Sequence, residues 1–194
     1  MLMIRQSNGE NAGKVFLASL IFFLMISILG CQKAERSNNL EIQQRDNSVN
    51  ISDAKLNIPA LDFKLKLTNG KEIKLSDNRS KIVIIDFWAT WCSPCRRSIP
   101  DLIDIQNKYE NKVVIIGISL DRETKPDVVQ FIKDYGINYP VAYGTTEVVE
   151  AFGDIEAIPT SFIIDKSGQI VDKQVGLVDK SIYINKINEL LKKP

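Results

Sequence analysis

The sequence contains no histidine, and that absence removes a large part of enzyme chemistry. Without imidazole there is no Ser/His or Cys/His nucleophilic pair, no histidine general acid or base, and no histidine-containing metal site. Cysteine is nearly as scarce: Cys31, Cys92 and Cys95 are the whole set. Four ligands are usual around zinc, so a metal held by Cys92 and Cys95 would need carboxylates or a second subunit, and none is expected. A charge bias is also missing, with 25 Lys and Arg against 24 Asp and Glu and no basic cluster interleaved with aromatics. No nucleic-acid partner reached through phosphates is expected. Thiols, carboxylates, amines and hydroxyls remain to carry any chemistry.

What is present begins with MLMIRQSNGENAGKVFLASLIFFLMISILGC, where Arg5 and Lys14 precede an uncharged run from Val15 to Gly30. This is the layout of a secretory signal. The run is shorter than the roughly 20 residues of a comfortable membrane span, although Val15 to Gln32 could serve as an uncleaved anchor. Either way the remainder lies outside the cytoplasm, where disulfide exchange is chemically accessible. Removing residues 1–30 takes away Arg5, Lys14 and Glu10 and leaves a formally neutral chain. From Gln32 to about Asp53 the text is polar, rich in Asn, Gln and Ser, and without helical or strand period, so it reads as a tether. Such a tether spans on the order of 25 Å root-mean-square. The predicted organisation is a signal over 1–30, a tether over 31–55 that starts at Cys31, and one folded domain over 56–194.

The folded part opens with LDFKLKLTNGKEIKLSD, where Phe63, Leu65 and Leu67 alternate with lysines, Asn69-Gly70 turns the chain, and Ile73 and Leu75 resume the alternation. That predicts a β-hairpin. Two nearly continuous apolar runs follow, Ile82 to Trp88 and Val113 to Leu120, as expected of strands covered on both faces. Between them, about Ser93 to Tyr109 places Ile99, Leu102, Ile103 and Gln106 on one helical side, so strand, helix and strand form a right-handed βαβ unit. A second helix is predicted from about Pro126 to Tyr135, with Thr124 as cap and Val128, Phe131, Ile132 and Tyr135 as its stripe. A short helix is expected near Thr146 to Phe152. After Pro159, TSFIID and QIVDKQV read as two strands joined at Asp165-Lys166-Ser167-Gly168. The last helix runs from about Asp179 to Lys192, with Ile182, Ile187, Leu190 and Leu191 as its stripe. The fold class is α/β, a central mixed sheet with helices on both faces, an N-terminal hairpin extension and a short insert before Pro159.

Cys92 closes the loop after a predicted core strand and Cys95 opens the following helix. Free backbone N–H groups and the positive helix end converge there and stabilise a thiolate. Thiols so placed commonly titrate between about 3.5 and 7.5 instead of near 8.5, which makes Cys92 a nucleophile at neutral pH. The three-residue spacing brings Cys95 close enough to attack a mixed disulfide on Cys92. Pro94 needs no N–H in a first helical turn, and its fixed φ stiffens the loop. Arg96 and Arg97 oppose the helix dipole but favour a nearby thiolate, unless they are simply solvated. A purely structural staple is disfavoured, because so tight a loop removes little chain entropy.

Asp86-Phe87-Trp88-Ala89-Thr90-Trp91-Cys92-Ser93-Pro94-Cys95 resembles the thioredoxin active-site signature, and in an exported chain it is most similar to the TlpA/ResA-type membrane-anchored thiol:disulfide oxidoreductases. The resemblance extends from about Leu56 to Lys193 and implies a thioredoxin-like fold without a cofactor. Pro100 matches the proline that bends the active-site helix. Ile158-Pro159-Thr160 resembles the family's cis-proline loop, which faces the CxxC and pairs with a substrate peptide as a short added strand. The resemblance makes Cys92 the nucleophile, Cys95 the resolving cysteine and Asp86 the group that moves the proton of Cys95. It gives Trp91, Ser93, Pro94, Ile158, Pro159 and Thr160 to the substrate surface. Asp86 would be costly inside an apolar strand unless partnered or raised in pKa, or else it reaches solvent at the strand end. Trp88 and Trp91 also read as plain core and rim aromatics.

Ile28-Leu29-Gly30-Cys31 resembles a bacterial lipobox, which makes Cys31 the lipidated first residue of the mature chain in the cell envelope; a plain anchor with an incidental Cys31 is the alternative. The implied partners are disulfide-containing exported proteins, a thiol-reducing membrane protein as electron donor, and the membrane itself, with the protein a monomer. Relatives linked to cytochrome c maturation often carry an acid three positions after the second cysteine, where this chain has Ser98. That role is compatible with the resemblance, but apocytochrome c is not thereby named as substrate. Two rivals remain: a peroxidase of the related AhpC/TSA group, whose Pro-x-x-x-Thr/Ser-x-x-Cys pattern is absent around Cys92, and a binding module that needs no sulfur chemistry.

Overall fold

The computed structural model describes residues 57–193, so the signal, Cys31 and the tether fall outside the described residues. Among those described, no helix is long and apolar enough to cross a membrane. The chain order is β1 (Ile58–Pro59), β2 (Lys64–Lys66), β3 (Glu72–Lys74), β4 (Ile82–Trp88), α1 (Ser93–Lys108), β5 (Val113–Ser119), α2 (Val128–Asp134), β6 (Val141–Tyr143), α3 (Thr146–Ala151), β7 (Thr160–Ile164), β8 (Gln169–Val175) and α4 (Lys180–Leu191). Six strands form one sheet in the order β1-β8-β7-β4-β5-β6, and β2 and β3 form a separate hairpin. β4, β5 and β6 run parallel, while β7 is antiparallel to both β4 and β8. This is the mixed, thioredoxin-like sheet the sequence predicts.

Every residue of β4 is buried because both faces of the sheet are covered. Successive side chains of a strand point to opposite faces, so Ile82, Ile84 and Trp88 join α1, α2 and α4 in one apolar cluster. Val83, Ile85 and Phe87 join the hairpin and α3 in the other. Asp86 shares the parity of Ile84 and Trp88 and therefore lies on the α1 face.

Several expectations change in detail. The segment read as an insert contributes β6, which lengthens the parallel part of the sheet, and Ile58–Pro59 adds an edge strand on β8. Thr124 does not cap α2; a turn of 3-10 helix, Lys125–Asp127, precedes that helix, and the Thr124 hydroxyl donates to Asp121 instead. In α4 the stripe is Tyr183, Ile187 and Leu190, while Ile182 is 40% exposed. Gln106, on the buried side of α1, uses its amide to hold β5: Nε2 donates to the Val113 carbonyl and Oε1 accepts from the Ile115 amide.

Candidate active site

The C-terminal ends of β4 and β5, the start of α1 and the loop before β7 come together around the two cysteines. Cys92 is the N-cap of α1, Ser93 and Pro94 form its first positions, and Cys95 faces inward from the first turn. Cys92 and Cys95 are joined in a disulfide. The Cys92 sulfur also accepts the Cys95 amide at 3.2 Å, occupying one of the otherwise unpaired N–H groups of the helix start. The same donor is in place to stabilise a thiolate on Cys92 when the disulfide is reduced. Cys92 is 4% exposed and Cys95 fully buried, so Cys92 is the sulfur nearer to solvent.

The Ile158–Pro159 peptide bond is cis. Its loop brings the Ile158 carbonyl oxygen to 3.7 Å from Cys92 Sγ. Among the described residues, no backbone group pairs with the Ile158 N–H or C=O, while Gly176 N–H donates to the Pro159 carbonyl from the end of β8. An extended peptide could therefore pair there. Around this point Trp91 is 62% exposed, Ser93 is exposed, Pro94 and Ile158 are half-buried, and Pro159 is buried. Thr160 is buried as well, and its hydroxyl donates to the Ala157 carbonyl, so its side chain braces the loop from inside.

Asp86 is 1% exposed and does not reach solvent. Its register partners are Gly117 on β5 and Ser161 on β7, and Oδ2 has no hydrogen-bond partner. Burial raises this carboxyl to about 8. The Tyr139 and Tyr183 phenols lie in its field; burial first and the Asp86 charge second push Tyr139 well above its ordinary value and Tyr183 to about 12. Trp88 is fully buried in the core, and Trp91 is the rim aromatic.

Ser98 is buried, and its hydroxyl donates to the Cys95 carbonyl at 2.9 Å, so a neutral group stands three positions after the second cysteine. Arg96 and Arg97 are exposed and, among the described residues, form no ion pair; Lys180 instead takes both Asp101 and Asp104 of the same helix. Sequence reading missed a further acid. Asp121, after β5, is buried and accepts hydrogen bonds from Thr90, Ser119 and Thr124. Burial would raise its pKa, but these donors outweigh it and hold the carboxyl below its ordinary value. Its visible trace was an acid flanked by hydroxyl residues just past a buried strand.

Residues 56–173 match the model of the AhpC/TSA family. The chain belongs to that family. Within it, the chain is similar to the thiol-disulfide oxidoreductase ResA of Bacillus subtilis, at 35% identity over 66% of this chain and 72% of the relative. Among solved structures it resembles a putative thiol:disulfide interchange protein DsbE from Chlorobium tepidum, with TM-score 0.65, 32% identity, and coverage of 70% of this chain and 97% of the other. It also resembles the exposed lipoprotein thioredoxin of Streptococcus pneumoniae, with TM-score 0.60, 29% identity, and coverage of 67% and 100%. The AhpC/TSA member described here carries Ala89 where the peroxidase pattern has Thr or Ser three residues before its cysteine. Its relatives and its cysteine pair mark it as a thiol:disulfide oxidoreductase of the TlpA/ResA type.

Proposed function

We propose that this oxidoreductase works outside the cytoplasm, held to a membrane by lipid on Cys31, and passes electrons to disulfides of exported proteins. The observation that carries the chemistry is the Cys92 sulfur at the start of α1, facing the unpaired backbone of Ile158. In the reduced enzyme the Cys92 thiolate attacks one sulfur of a partner disulfide. A bond forms between Cys92 and that sulfur, the partner S–S bond breaks, and the other partner sulfur leaves as a thiolate. Asp86 accepts the Cys95 proton, and the Cys95 thiolate attacks Cys92. This releases the partner's second thiolate and leaves the Cys92–Cys95 disulfide. Two electrons have then moved to the partner, and a thiol-reducing membrane protein restores the dithiol. A group titrating near 8 suits that proton transfer, because it can both take and return a proton near neutrality.

Trp91, Ser93, Pro94 and Ile158 form the surface that meets the partner, with Pro159 and Thr160 shaping the Ile158 loop. The lipoprotein status of the Streptococcus pneumoniae neighbour supports the anchor reading, as does the Leu29-Gly30-Cys31 run. The domain boundaries proposed are 1–30, 31–55 and 56–194, with the enzyme a monomer. The test is trapping in the full-length chain: Cys95→Ser should strand substrate proteins on Cys92 as reducible covalent complexes, and Cys92→Ser should trap none. Wild-type disulfide reduction by Cys92→Ser would overturn the reading. Absence of lipid on Cys31 in mass spectrometry of the mature chain would remove the anchor alone.

A further inference from the structure

The loop that delivers Cys92 is held from one side by a carboxylate that the reaction scheme leaves unused. Trp88 and Ser119 are partners at the parallel ends of β4 and β5, and Leu120 N–H donates to the Trp88 carbonyl just beyond them. This brings Asp121 beside Thr90. Asp121 accepts the Thr90 amide at 3.1 and 3.2 Å to its two oxygens, and also the Thr90 hydroxyl. Ser119 and Thr124 hydroxyls complete its set of donors. Among the described residues no salt bridge reaches Asp121, and no other side-chain hydrogen bond reaches residues 89–91. The Cys92 amide donates to the Ala89 carbonyl, closing a four-residue turn in which Thr90 and Trp91 are the central pair.

We propose that Asp121 is a positioning residue for the Cys92 nucleophile: by gripping Thr90 at both amide and hydroxyl, it fixes the Ala89–Cys92 turn and hence the line along which the sulfur meets a partner disulfide. The inference rests on the nucleophilic role proposed for Cys92. Two bonds to one residue fix its orientation as well as its place, which a single contact does not. The pin matters because Trp91, the exposed residue of the turn, makes no side-chain hydrogen bond among the described residues, which leaves Asp121 as the side chain that holds residues 89–91. Thiol–disulfide exchange needs the attacking sulfur in line with the bond it breaks, and misplacement by about 1 Å can cost on the order of 100-fold in rate. Ser119 and Thr124 hold the carboxylate against rotation, so the grip does not depend on Thr90 alone.

The experiment follows the reduced full-length chain as wild type, Thr90→Val, Thr90→Ser and Asp121→Asn. It measures the pH profile of Cys92 alkylation by iodoacetamide, kcat/KM for reduction of insulin disulfides, and the thermal midpoint. Thr90→Val and Asp121→Asn should lower kcat/KM about 10-fold and displace the alkylation profile, while Thr90→Ser, which keeps the hydroxyl, stays within about twofold of wild type. If Asp121→Asn does not fold, the Thr90→Val and Thr90→Ser pair decides. A Thr90→Val enzyme altered only in thermal midpoint, with wild-type alkylation and insulin kinetics, overturns the proposal. Alkylation mapped to Cys95 in the wild type would overturn the assignment of the nucleophile, and this inference with it.

Discussion

Cys92 Sγ lies 3.7 Å from the carbonyl oxygen of Ile158, although 66 residues separate the two along the chain. The sulfur thus faces the backbone of Ile158, which among the described residues pairs with no other backbone group. A peptide laid along Ile158 as an added strand would gain main-chain hydrogen bonds while presenting its own sulfur to Cys92. Recognition by backbone leaves side-chain preference to the rim, where Trp91 is the large exposed group.

Trp91→Ala should therefore act on binding rather than on thiol chemistry. The expected result is a KM for a protein disulfide raised about 10-fold, the loss typical of a contact aromatic. Stability should stay within about 0.5 kcal/mol of wild type, because the ring is mostly in water. Steady-state kinetics with a protein substrate, set against alkylation of Cys92 by a small reagent, separates the two effects; equal losses in both would contradict the assignment.

The proton transfer proposed for Asp86 would tie catalysis to stability through pH. Burial raises its carboxyl from 3.8 to about 8. Between those values the unfolded chain is ionised at this group while the folded chain holds the proton, so folding takes up a proton there. Its contribution is most favourable below the lower value and is lost as pH rises through the window. Asp86→Asn cannot ionise and should be more stable than wild type at pH 7 by ~2–4 kcal/mol, with the two converging near pH 4. Urea unfolding at several pH values measures this. The same variant should slow resolution of a Cys92 mixed disulfide by at least about 10-fold, read by the lifetime of the trapped complex.

Gly117 tests how tightly the structure closes over Asp86. It is the β5 register partner of Asp86, and a Cβ there would stand 3.0 Å from Trp88 Nε1 and 3.2 Å from Tyr139 Cε2. Both are ring atoms of buried side chains. Gly117→Ala should cost about 1–3 kcal/mol by overpacking, seen as a lower urea midpoint with unchanged m-value.

The strands, helices and cysteine pair were legible in the sequence because they follow from local patterns. Nearly continuous apolar runs at 82–88 and 113–119, rich in Val and Ile, demand cover on both faces, and a CxxC behind such a run places one sulfur at a helix start. Helix stripes read less well. Ile182 fitted the period of α4 but lies toward solvent, because Tyr183 is the residue that meets Ser161 on β7. Thr124 has the chemistry of a cap, yet the 3-10 turn Lys125–Asp127 separates it from α2, and its hydroxyl donates to Asp121.

By itself, the sequence narrowed which atoms can react: with no histidine, two thiols set three apart and an acid in an apolar strand stand out. Only the tertiary structure decided what surrounds them. It set the raised pKa of Asp86, the approach of Ile158 to Cys92 and the grip of Asp121 on Thr90. Each depends on desolvation, or on contacts between residues 31 or more positions apart, and neither is written in local spacing.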